Sequence, residues 1–270
     1  MYKNLKIGLA LGSGASRGLA HIGVIEVLEK YGIIADAVSG SSIGSVIGAL
    51  YCSGFDFKYA ASLCKNLNKK TYIDVAVPRL GFIKGERICE IIKLLTKDKE
   101  FKDLNKKFFV VATDLKSKRL VVFEEGKIYE AIRASISIPG VFIPVYKDNM
   151  VLVDGGVLER VPAKILKNYG VDYVIGVDVG FNLKTSNCKS IFHVLYESID
   201  LMEKELFELK KQEADKLIRV DIDDVDPIGF DHAEETIEKG RQAAIKEIEG
   251  LIKELDSIAA SRQDLFLNHL

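Results

Sequence analysis

Apolar residues cluster in short runs that are typical of buried β-strands. Several runs are followed by stretches in which apolar residues recur every three to four positions, the spacing of one face of an α-helix. The predicted strands lie at residues 5–11, 36–39, 108–113, 120–123, 150–153, 171–179 and 217–222. The predicted helices lie at residues 19–31, 42–53, 57–67, 86–95, 129–135, 162–169, 191–209 and 237–255. This alternation indicates an α/β fold with a mainly parallel central sheet and helices on both faces.

Residues 69–84 follow neither pattern. This stretch contains Pro78 and Gly81, and a proline restricts both its own backbone and that of the residue before it. We therefore predict an irregular, exposed segment. We add the hypothesis that it forms a lid or an interfacial contact.

The last third of the chain predicts two long helices. In the first, apolar side chains trace one face, which is formed by Ile191, Leu195, Ile199, Met202, Leu206 and Leu209. The second has an apolar face opposite a face of mixed Glu and Lys, which favours packing on a core over membrane insertion. The chain shows no repeat, low-complexity run or linker. We therefore predict a single domain over residues 1–270, with the C-terminal helices at 190–256 packed on it.

The charge balance limits the classes of partner. Lys+Arg 38 against Asp+Glu 39 gives a net charge of -1, which does not favour nucleic acid or another strongly anionic partner. No apolar run reaches the roughly 18 residues that would span a bilayer. The apolar residues near the N-terminus are interrupted by Gly8, Gly12 and Gly14, so we expect no signal peptide.

The cysteines indicate a reducing compartment. Cys52, Cys64, Cys89 and Cys188 are widely spaced and form no C-x-x-C pair. This pattern is typical of ordinary buried thiols and does not favour a metal or redox site. We therefore expect a cytoplasmic protein.

The sequence Gly40-Ser41-Ser42-Ile43-Gly44 lies between a predicted strand and a predicted helix. G-x-S-x-G in this context is typical of a nucleophile elbow, a turn that lifts the serine hydroxyl clear of a sheet. The turn is too sharp for a Cβ atom at either glycine. The helix begins at the serine, and its free N–H groups and positive dipole end favour an oxyanion nearby. These features predict Ser42 as a nucleophile.

Three loops follow predicted strands and carry polar or glycine-rich sequences. The first covers residues 12–18, the second holds Ser42, and the third begins at Asp154-Gly155-Gly156. The carboxyl ends of parallel strands meet at one edge of a sheet. We therefore expect the three loops to meet in space, although they are far apart along the chain.

Together these loops offer the groups that acyl transfer needs. A serine hydroxyl becomes a good nucleophile when a base removes its proton, and the oxyanion intermediate needs N–H donors. Ser42 is the predicted nucleophile and Asp154 the predicted base. The predicted oxyanion hole is the backbone of Gly12, Ser13, Gly14 and Ala15. Arg17 is predicted to orient this loop or to offset developing negative charge.

Four sequence blocks in this order resemble those of the patatin-like phospholipases, in particular the compact bacterial type. The blocks are residues 12–18 with His21-Ile22-Gly23-Val24, then Gly40-x-Ser42-x-Gly44, then Ala134-Ser135-x-x-x-Pro139, then Asp154-Gly155-Gly156. They span residues 7–180, and their joint order and spacing are more specific than any one block. The first block differs from the plant-type G-G-G-x-R/K-G by a serine and one extra residue. Which two N–H groups of this loop donate is therefore open.

The resemblance implies a three-layer α/β/α fold and a Ser-Asp dyad that hydrolyses acyl esters of lipids without histidine, metal or cofactor. Carried over by motif, Ser42 is the nucleophile, Asp154 the base and the backbone of residues 12–15 the oxyanion hole. The supporting residues are Arg17, Gly40, Gly44, Gly155 and Gly156. The expected substrate is a phospholipid or lysophospholipid. We also expect a transient contact with the inner membrane surface, and we expect no nucleic-acid partner.

A nucleotide-binding interpretation is an alternative for the glycine loop. Residues 14–20 resemble the loop of short-chain dehydrogenases, and Gly12-x-Gly14 invites comparison with a dinucleotide-binding fold. However, the third glycine of G-x-G-x-x-G would fall at Arg17. No Tyr-x-x-x-Lys pair lies where the catalytic helix of that family is expected. This alternative predicts an NAD(P)-dependent oxidoreductase.

A Ser-Asp-His triad is a second alternative, because the order Ser42, Asp154, then His193 or His232 is that of the α/β-hydrolases. The elbow lies too near the N-terminus to follow the several strands that usually precede it in that fold. His193 falls in a helical pattern and His232 just ahead of another. A third alternative is a lipid-binding or regulatory module that keeps the fold but little catalysis.

Overall fold

The computed structural model describes residues 2, 4–66, 69–75, 80–181, 190–210, 213–222 and 229–267. Within these ranges the strands are β1 (Ile7–Leu11), β2 (Ala37–Ser41), β3 (Lys107–Asp114), β4 (Arg119–Phe123), β5 (Val145–Lys147), β6 (Met150–Asp154), β7 (Tyr173–Phe181) and β8 (Lys216–Asp221). The helices are α1 (Ala20–Lys30), α2 (Ile43–Ser53), α3 (Ala60–Asn66), α4 (Lys69–Tyr72), α5 (Glu86–Leu95), α6 (Ile128–Ser135), α7 (Ala163–Tyr169), α8 (Ile191–Lys210) and α9 (Ala233–Leu267).

The described strands form one mixed sheet. Its order is β5-β6-β3-β2-β1-β7-β8, and β4 also pairs with β3. The pairs β1–β2, β1–β7, β2–β3 and β7–β8 are parallel. The antiparallel pairs, β3–β4, β3–β6 and β5–β6, all lie at the β3 side of the sheet. The prediction of a mainly parallel central sheet is confirmed.

Side chains alternate between the two faces of the sheet. Ile7, Leu9 and Leu11 of β1 pack in a large core with apolar residues of α1, α2 and α9. Ala10 of β1 and Val174 of β7 pack on the opposite face with residues of α7 and α8. Helices therefore cover both faces, and the predicted three-layer α/β/α arrangement is confirmed.

β2 and β6 meet end to end along one edge of β3. The last pair of β2 is Ser41 with Val111, and the last pair of β6 is Asp154 with Ala112. β4 pairs with β3 across both of these positions, so it occupies the other edge of β3. Since β2 is parallel to β3 and β6 antiparallel, their carboxyl ends point toward each other.

The direction of β6 differs from our expectation for Asp154. We predict from the sequence a parallel strand before Asp154, but β6 runs antiparallel and reaches the same place from the opposite side. The reversal is made by a two-residue hairpin between β5 and β6. Asp148 and Asn149 in this hairpin have φ of 48° and 64°, the left-handed conformations that tight hairpins require.

The prediction of an irregular segment at residues 69–84 is wrong for α4, which is helical. Farther along, Asp74 accepts backbone N–H bonds from Gly85 and Glu86 at 2.8 Å. These bonds satisfy free donors at the start of α5. Residues 76–79, which include Pro78, lie outside the described residues. The lid hypothesis for this segment stays a prediction.

Two other sequence predictions concern the thiols and the membrane. Cys52 and Cys64 are buried, Cys89 is half-buried and all three are free thiols, whereas Cys188 lies outside the described residues. Within the described ranges, no helix combines the length and the apolar character that a bilayer span requires.

Candidate active site

Ser42 occupies the sharp turn between β2 and α2. Its backbone has φ 51° and ψ -125°, a strained conformation that costs a non-glycine residue about 1–3 kcal/mol. Two side-chain hydroxyl groups hold the turn. The Ser42 N–H donates to Ser135 Oγ at 2.9 Å, and Ser45 Oγ donates to the Ser42 carbonyl at 2.6 Å. The strand-turn-helix context predicted for Ser42 is confirmed.

The glycines on either side of Ser42 are required by backbone contacts. A Cβ atom at Gly40 would lie 2.5 Å from Gly44 O, and one at Gly44 would lie 2.1 Å from Leu11 O. Both distances are far inside van der Waals contact, so the predicted steric reason for these glycines is confirmed. The close approach at Gly44 also places the start of α2 against the end of β1, where the glycine loop begins.

The Ser42 hydroxyl donates a hydrogen bond to Asp154. The distance from Ser42 Oγ to Asp154 Oδ2 is 2.6 Å, and both side chains are buried. The other carboxylate oxygen, Asp154 Oδ1, accepts the Gly156 N–H at 2.8 Å. One oxygen is thus held by the backbone while the second faces the hydroxyl. This is the geometry that a general base needs.

The turn after Asp154 has no space for side chains. A Cβ atom at Gly155 would lie 2.5 Å from Val111 O, and one at Gly156 would lie 2.6 Å from Glu203 Oε2.

Burial raises the pKa of Asp154 well above its ordinary value, and the nearby Glu203 carboxylate raises that pKa further. Hydrogen bonds from Ser42 and Gly156 oppose this shift only in part.

The backbone N–H groups of the glycine loop differ in their hydrogen bonding. The Gly12 N–H donates to Val177 O at 3.0 Å, and the Ser13 N–H donates to Arg160 O at 2.9 Å. Within the described part of the chain, the N–H groups of Gly14 and Ala15 have no hydrogen-bond partner. Ala15 itself has a left-handed φ of 50°. The predicted oxyanion hole is therefore narrowed from four candidate donors to two.

Arg17 is buried beneath this loop, with only 1% of its surface exposed. Its Nε donates to Gly14 O at 3.2 Å and its Nη2 donates to Tyr196 Oη at 2.5 Å. In a trans peptide the C=O and the N–H point in opposite directions. By holding Gly14 O, Arg17 directs the Ala15 N–H to the other side of that peptide. Of the two roles predicted for Arg17, this contact fits the orientation of the loop.

α8 supplies the side of the site that the sequence analysis missed. The inner face of α8 carries Tyr196, Asp200, Glu203 and Phe207, all of them buried. Glu203 Oε2 accepts the Ser13 hydroxyl at 2.7 Å, and Asp200 Oδ1 lies 3.0 Å from Arg160 Nη1 and 3.5 Å from Arg17 Nη2. Polar side chains at helical spacing normally predict a solvated face, so no sequence signal pointed to them.

Carboxyl groups outnumber guanidinium groups in the cluster around the dyad. Its buried members are Asp154, Asp178, Asp200, Glu203, Arg17 and Arg160. With every carboxyl group ionised, this cluster would carry surplus negative charge in a buried place, which is costly. Burial raises the pKa of Glu203 to about 7, although Arg160 and the Ser13 hydroxyl act to lower that pKa. Asp154 and Glu203 are thus the two carboxyl groups of this cluster whose pKa burial raises.

A cavity of about 20 Å³ lies between the glycine loop, the elbow and α8. Its lining includes Ala15, Ser42, Ile138, Asp154, Tyr196 and Glu203. One water molecule needs about 10–15 Å³, measured in the same way. The described site therefore has room for a water molecule beside the dyad, but not for a lipid chain.

The structure describes three of the four histidines, His21, His193 and His232. His232 lies at the surface, where its Nδ1 is 3.4 Å from Glu235. His193 is the third residue of α8. His21 is fully buried, its Nε2 donates to Gly12 O at 2.9 Å, and burial lowers its pKa to about 4. His269 lies outside the described residues.

Residues 9–167 match a family model described as patatin-like phospholipase. This range includes the elbow, the glycine loop and Asp154. The match therefore covers both members of the candidate dyad.

Two curated relatives have similar sequences. Lysophospholipase NTE1 of Debaryomyces hansenii is 33% identical over 183 residues, which are 66% of this chain and 12% of that protein. An uncharacterized NTE family protein of Mycobacterium bovis is 34% identical over 177 residues, which are 64% of this chain and 49% of that protein. The match spans half or less of the length of both relatives.

A solved structure shares the fold. The crystal structure of VipD from Legionella pneumophila superposes with a TM-score of 0.64 and 13% identity, over 91% of this chain and 67% of that chain. At this identity the similarity concerns the fold alone.

Proposed function

The chain belongs to the patatin-like phospholipase family, and from this premise we propose that it hydrolyses acyl esters of lipids through a dyad of Ser42 and Asp154. The observation that carries the proposal is the 2.6 Å hydrogen bond from Ser42 Oγ to Asp154 Oδ2 at a strained turn. The relative described as a lysophospholipase supports a phospholipid or lysophospholipid as the substrate.

In the first step, Asp154 Oδ2 takes the proton of the Ser42 hydroxyl while Ser42 Oγ attacks the ester carbonyl carbon. The carbonyl electron pair moves to oxygen and forms an oxyanion. When the intermediate collapses, the bond to the alcohol oxygen breaks and that oxygen takes the proton from Asp154. An acyl ester remains on Ser42. A carboxylate with a raised pKa suits this task, because a stronger base accepts the proton more readily near neutral pH.

The oxyanion forms beside the glycine loop in this proposal. The N–H groups of Gly14 and Ala15 are the candidate donors, and Arg17 orients the second through Gly14 O. The positive end of the α2 dipole adds to the stabilisation because Ser42 immediately precedes α2. Such preorganised donors typically contribute about 10²–10³ in rate each.

Water completes the cycle. Asp154 takes a proton from a water molecule as the water oxygen attacks the acyl carbonyl on Ser42. Collapse of this second intermediate breaks the bond to Ser42 Oγ, which recovers its proton from Asp154, and the fatty acid leaves. The cavity beside the dyad has the volume of a water molecule.

The proposal is tested with a fluorophosphonate, which forms an adduct with activated serines, followed by mass-spectrometric mapping. We expect an adduct on Ser42 that disappears in Asp154→Asn, and no release of fatty acid from a lysophospholipid by Ser42→Ala. A matched control is Asp36→Asn, because the Asp36 carboxylate accepts the Ile7 N–H at the other end of the sheet. Wild-type labelling of Asp154→Asn would refute the dyad. A folded wild-type protein that stays unlabelled both with and without lipid vesicles would favour the lipid-binding module.

Histidine replacements separate the dyad from a triad. We expect His193→Ala and His232→Ala each to keep most of the esterase activity, because the Ser42 hydroxyl already donates to a carboxylate. A large loss of activity in either variant would favour the triad. Titration with NADPH tests the oxidoreductase alternative, and we expect no binding.

A further inference from the structure

The outer face of α8 is apolar and exposed. Its stripe consists of Ile191, Val194, Leu201, Met202 and Leu209, which are between 50% and 84% exposed. The stripe follows helical spacing and extends over about 27 Å, at 1.5 Å for each residue. The sequence pattern correctly groups Ile191, Met202 and Leu209 on one face. The structure exposes these three side chains to solvent and buries the opposite, polar face of the helix.

This exposed stripe lies on the helix that covers the dyad. The opposite side of α8 places Tyr196 and Glu203 in the lining of the cavity beside Ser42 and Asp154. Large apolar patches on a protein surface commonly mark binding sites. A stripe in this place points to a partner that meets the protein above the candidate active site.

The apolar surface continues from α8 to a neighbouring loop. A Cβ atom at Gly140 would lie 2.9 Å from Leu195 Cδ1, so the start of α8 packs closely on the loop at residues 138–144. This loop is half-buried throughout and includes Val141 and Phe142. The N–H groups of Phe82 and Ile83 both donate to Val141 O. Leu80, next to this contact, is 57% exposed.

The charged residues on the outer face of α8 indicate which lipid headgroups this face would contact. Glu205 is exposed at a position within the stripe, and the charged residues that flank the stripe, Glu197, Lys204 and Glu208, are half-buried. Lys204 is the one cation among these four α8 residues, so they carry no surplus positive charge to attract anionic headgroups. Zwitterionic headgroups, which also carry both signs, are the better complement.

We propose that the outer face of α8 docks on a zwitterionic lipid surface, and that docking moves α8 away from the dyad so that substrate can enter. This inference rests on the proposed function, because it identifies where the lipid substrate meets the protein. The apolar side chains of the stripe would enter the interface between headgroups and acyl chains, as those of interfacial helices do.

The contacts on the inner face suit a helix that moves. Along the cavity, α8 is held by the polar bonds of Tyr196, Asp200 and Glu203. Buried ion pairs contribute little net stability, because desolvation offsets much of their attraction. Toward the C-terminal end of α8, Phe207 packs in the apolar core. We therefore expect the helix to separate from the cavity while the Phe207 end stays attached.

Vesicle binding tests the docking surface separately from catalysis. Co-sedimentation with phosphatidylcholine vesicles is measured in a Ser42→Ala background, so that hydrolysis plays no part. We expect Leu201→Lys with Met202→Lys to weaken partitioning by about tenfold or more, because two apolar side chains no longer enter the interface. Both residues are more than 60% exposed, so the folded state should persist. Thermal unfolding checks this.

A matched control replaces exposed apolar residues elsewhere. Ile34 precedes β2 and Ile245 lies on α9, and they are 54% and 53% exposed. We expect Ile34→Lys with Ile245→Lys to bind vesicles as the Ser42→Ala parent does. Equal losses in the two double variants, or no binding by the parent, would overturn the proposal. A concentration-dependent dimer disrupted by the α8 variants, without vesicle binding, would instead identify a second copy as the occupant.

The movement of α8 is tested by labelling the wild-type chain. We expect the fluorophosphonate to label Ser42 at least about tenfold faster with phosphatidylcholine vesicles than without them, and we expect the α8 double variant to lose this acceleration. Equal labelling rates with and without vesicles would refute the movement. If Ser42 is never labelled but vesicle binding persists, the proposed function fails while the docking surface stands.

Discussion

Ser13 Oγ donates a hydrogen bond to Glu203 Oε2 at 2.7 Å, and this contact joins the glycine loop to α8 across 190 positions of sequence. The same carboxylate lies against Gly156, in the turn that follows the candidate base. Glu203 thus contacts both loops that complete the site around Ser42. Its charge acts on the site although Glu203 has no part in the proposed bond-making steps.

Replacing Glu203 should change the pH dependence of hydrolysis. Burial and the Glu203 carboxylate both raise the pKa of Asp154. Asp154 must be ionised to act as the base, so activity rises with pH through this pKa. In Glu203→Gln the repulsion is absent and the pKa of Asp154 falls. We expect the acidic limb of the kcat/KM profile to move down by about one pH unit.

Glu249→Gln is the control for this measurement, because Glu249 is exposed on α9, outside the face of α8 that is proposed to dock. We expect its pH profile to overlay that of the wild-type chain. A limb that stays in place in Glu203→Gln, or that moves equally in both variants, would show that Glu203 does not act on Asp154.

His21 should make the fold sensitive to acid. Burial lowers its pKa from 6.5 to about 4. Between these values the unfolded chain binds a proton that the folded chain does not, so stability falls as the pH falls from 6.5 to 4. The full loss is about 3 kcal/mol. We expect urea unfolding to show this decrease and His21→Gln to show a pH slope smaller by one proton. An unchanged slope would contradict the prediction.

Arg17→Lys should impair turnover more than binding. A lysine lacks the planar group that reaches Gly14 O and Tyr196 Oη together. The Ala15 N–H would lose its fixed direction, and we expect kcat to fall about tenfold to a hundredfold while KM changes about twofold or less. Arg241→Lys is the control, because Arg241 pairs with Glu26 at 2.7 Å on a partly exposed surface. A rise in KM with unchanged kcat would contradict an orienting role.

Two glycine-to-alanine variants should change stability in opposite directions. A Cβ atom at Gly44 would lie 2.1 Å from Leu11 O, and we expect Gly44→Ala to cost about 3 kcal/mol or more. Among the described residues, the atom nearest to a Cβ atom at Gly250 would be Lys216 Nζ at 3.7 Å. Gly250 lies inside α9, where alanine is favoured over glycine by about 0.5–1 kcal/mol. Chemical denaturation measures both, and destabilisation by Gly250→Ala would contradict this account.

The elbow was predictable because its constraints are local. Gly40 and Gly44 are needed by a turn of five residues, and strand and helix patterns flank that turn. The parallel part of the sheet was predictable for a similar reason, since short strands alternate with helices. In both places the structure follows from contacts between neighbours in sequence.

The inner face of α8 was not predictable in this way. The sequence pattern favours the apolar stripe with Met202 and Leu209 as the buried side, but these residues are 62% and 84% exposed. Arg17 and Arg160, from distant parts of the chain, pair with Asp200 and make the polar face the buried one. The hydrogen bonds that the Gly12 and Ser13 N–H groups donate likewise depend on carbonyl groups that lie far away in the sequence. The antiparallel direction of β6 did have a local signal, the Asp148-Asn149 turn.

Because β2 and β6 meet end to end along β3, the register on β3 sets the distance between Ser42 and Asp154. Ser41 pairs with Val111 and Asp154 pairs with Ala112, so two adjacent residues of β3 set the distance between the candidate nucleophile and the candidate base. The chain between the two can lengthen or shorten over evolution without moving them, provided that β3 keeps its register. One residue inserted between Val111 and Ala112 would displace the base by about 3.3 Å along β3. An insertion elsewhere between Ser42 and Asp154 therefore leaves the distance between these two residues unchanged as long as β3 keeps this register.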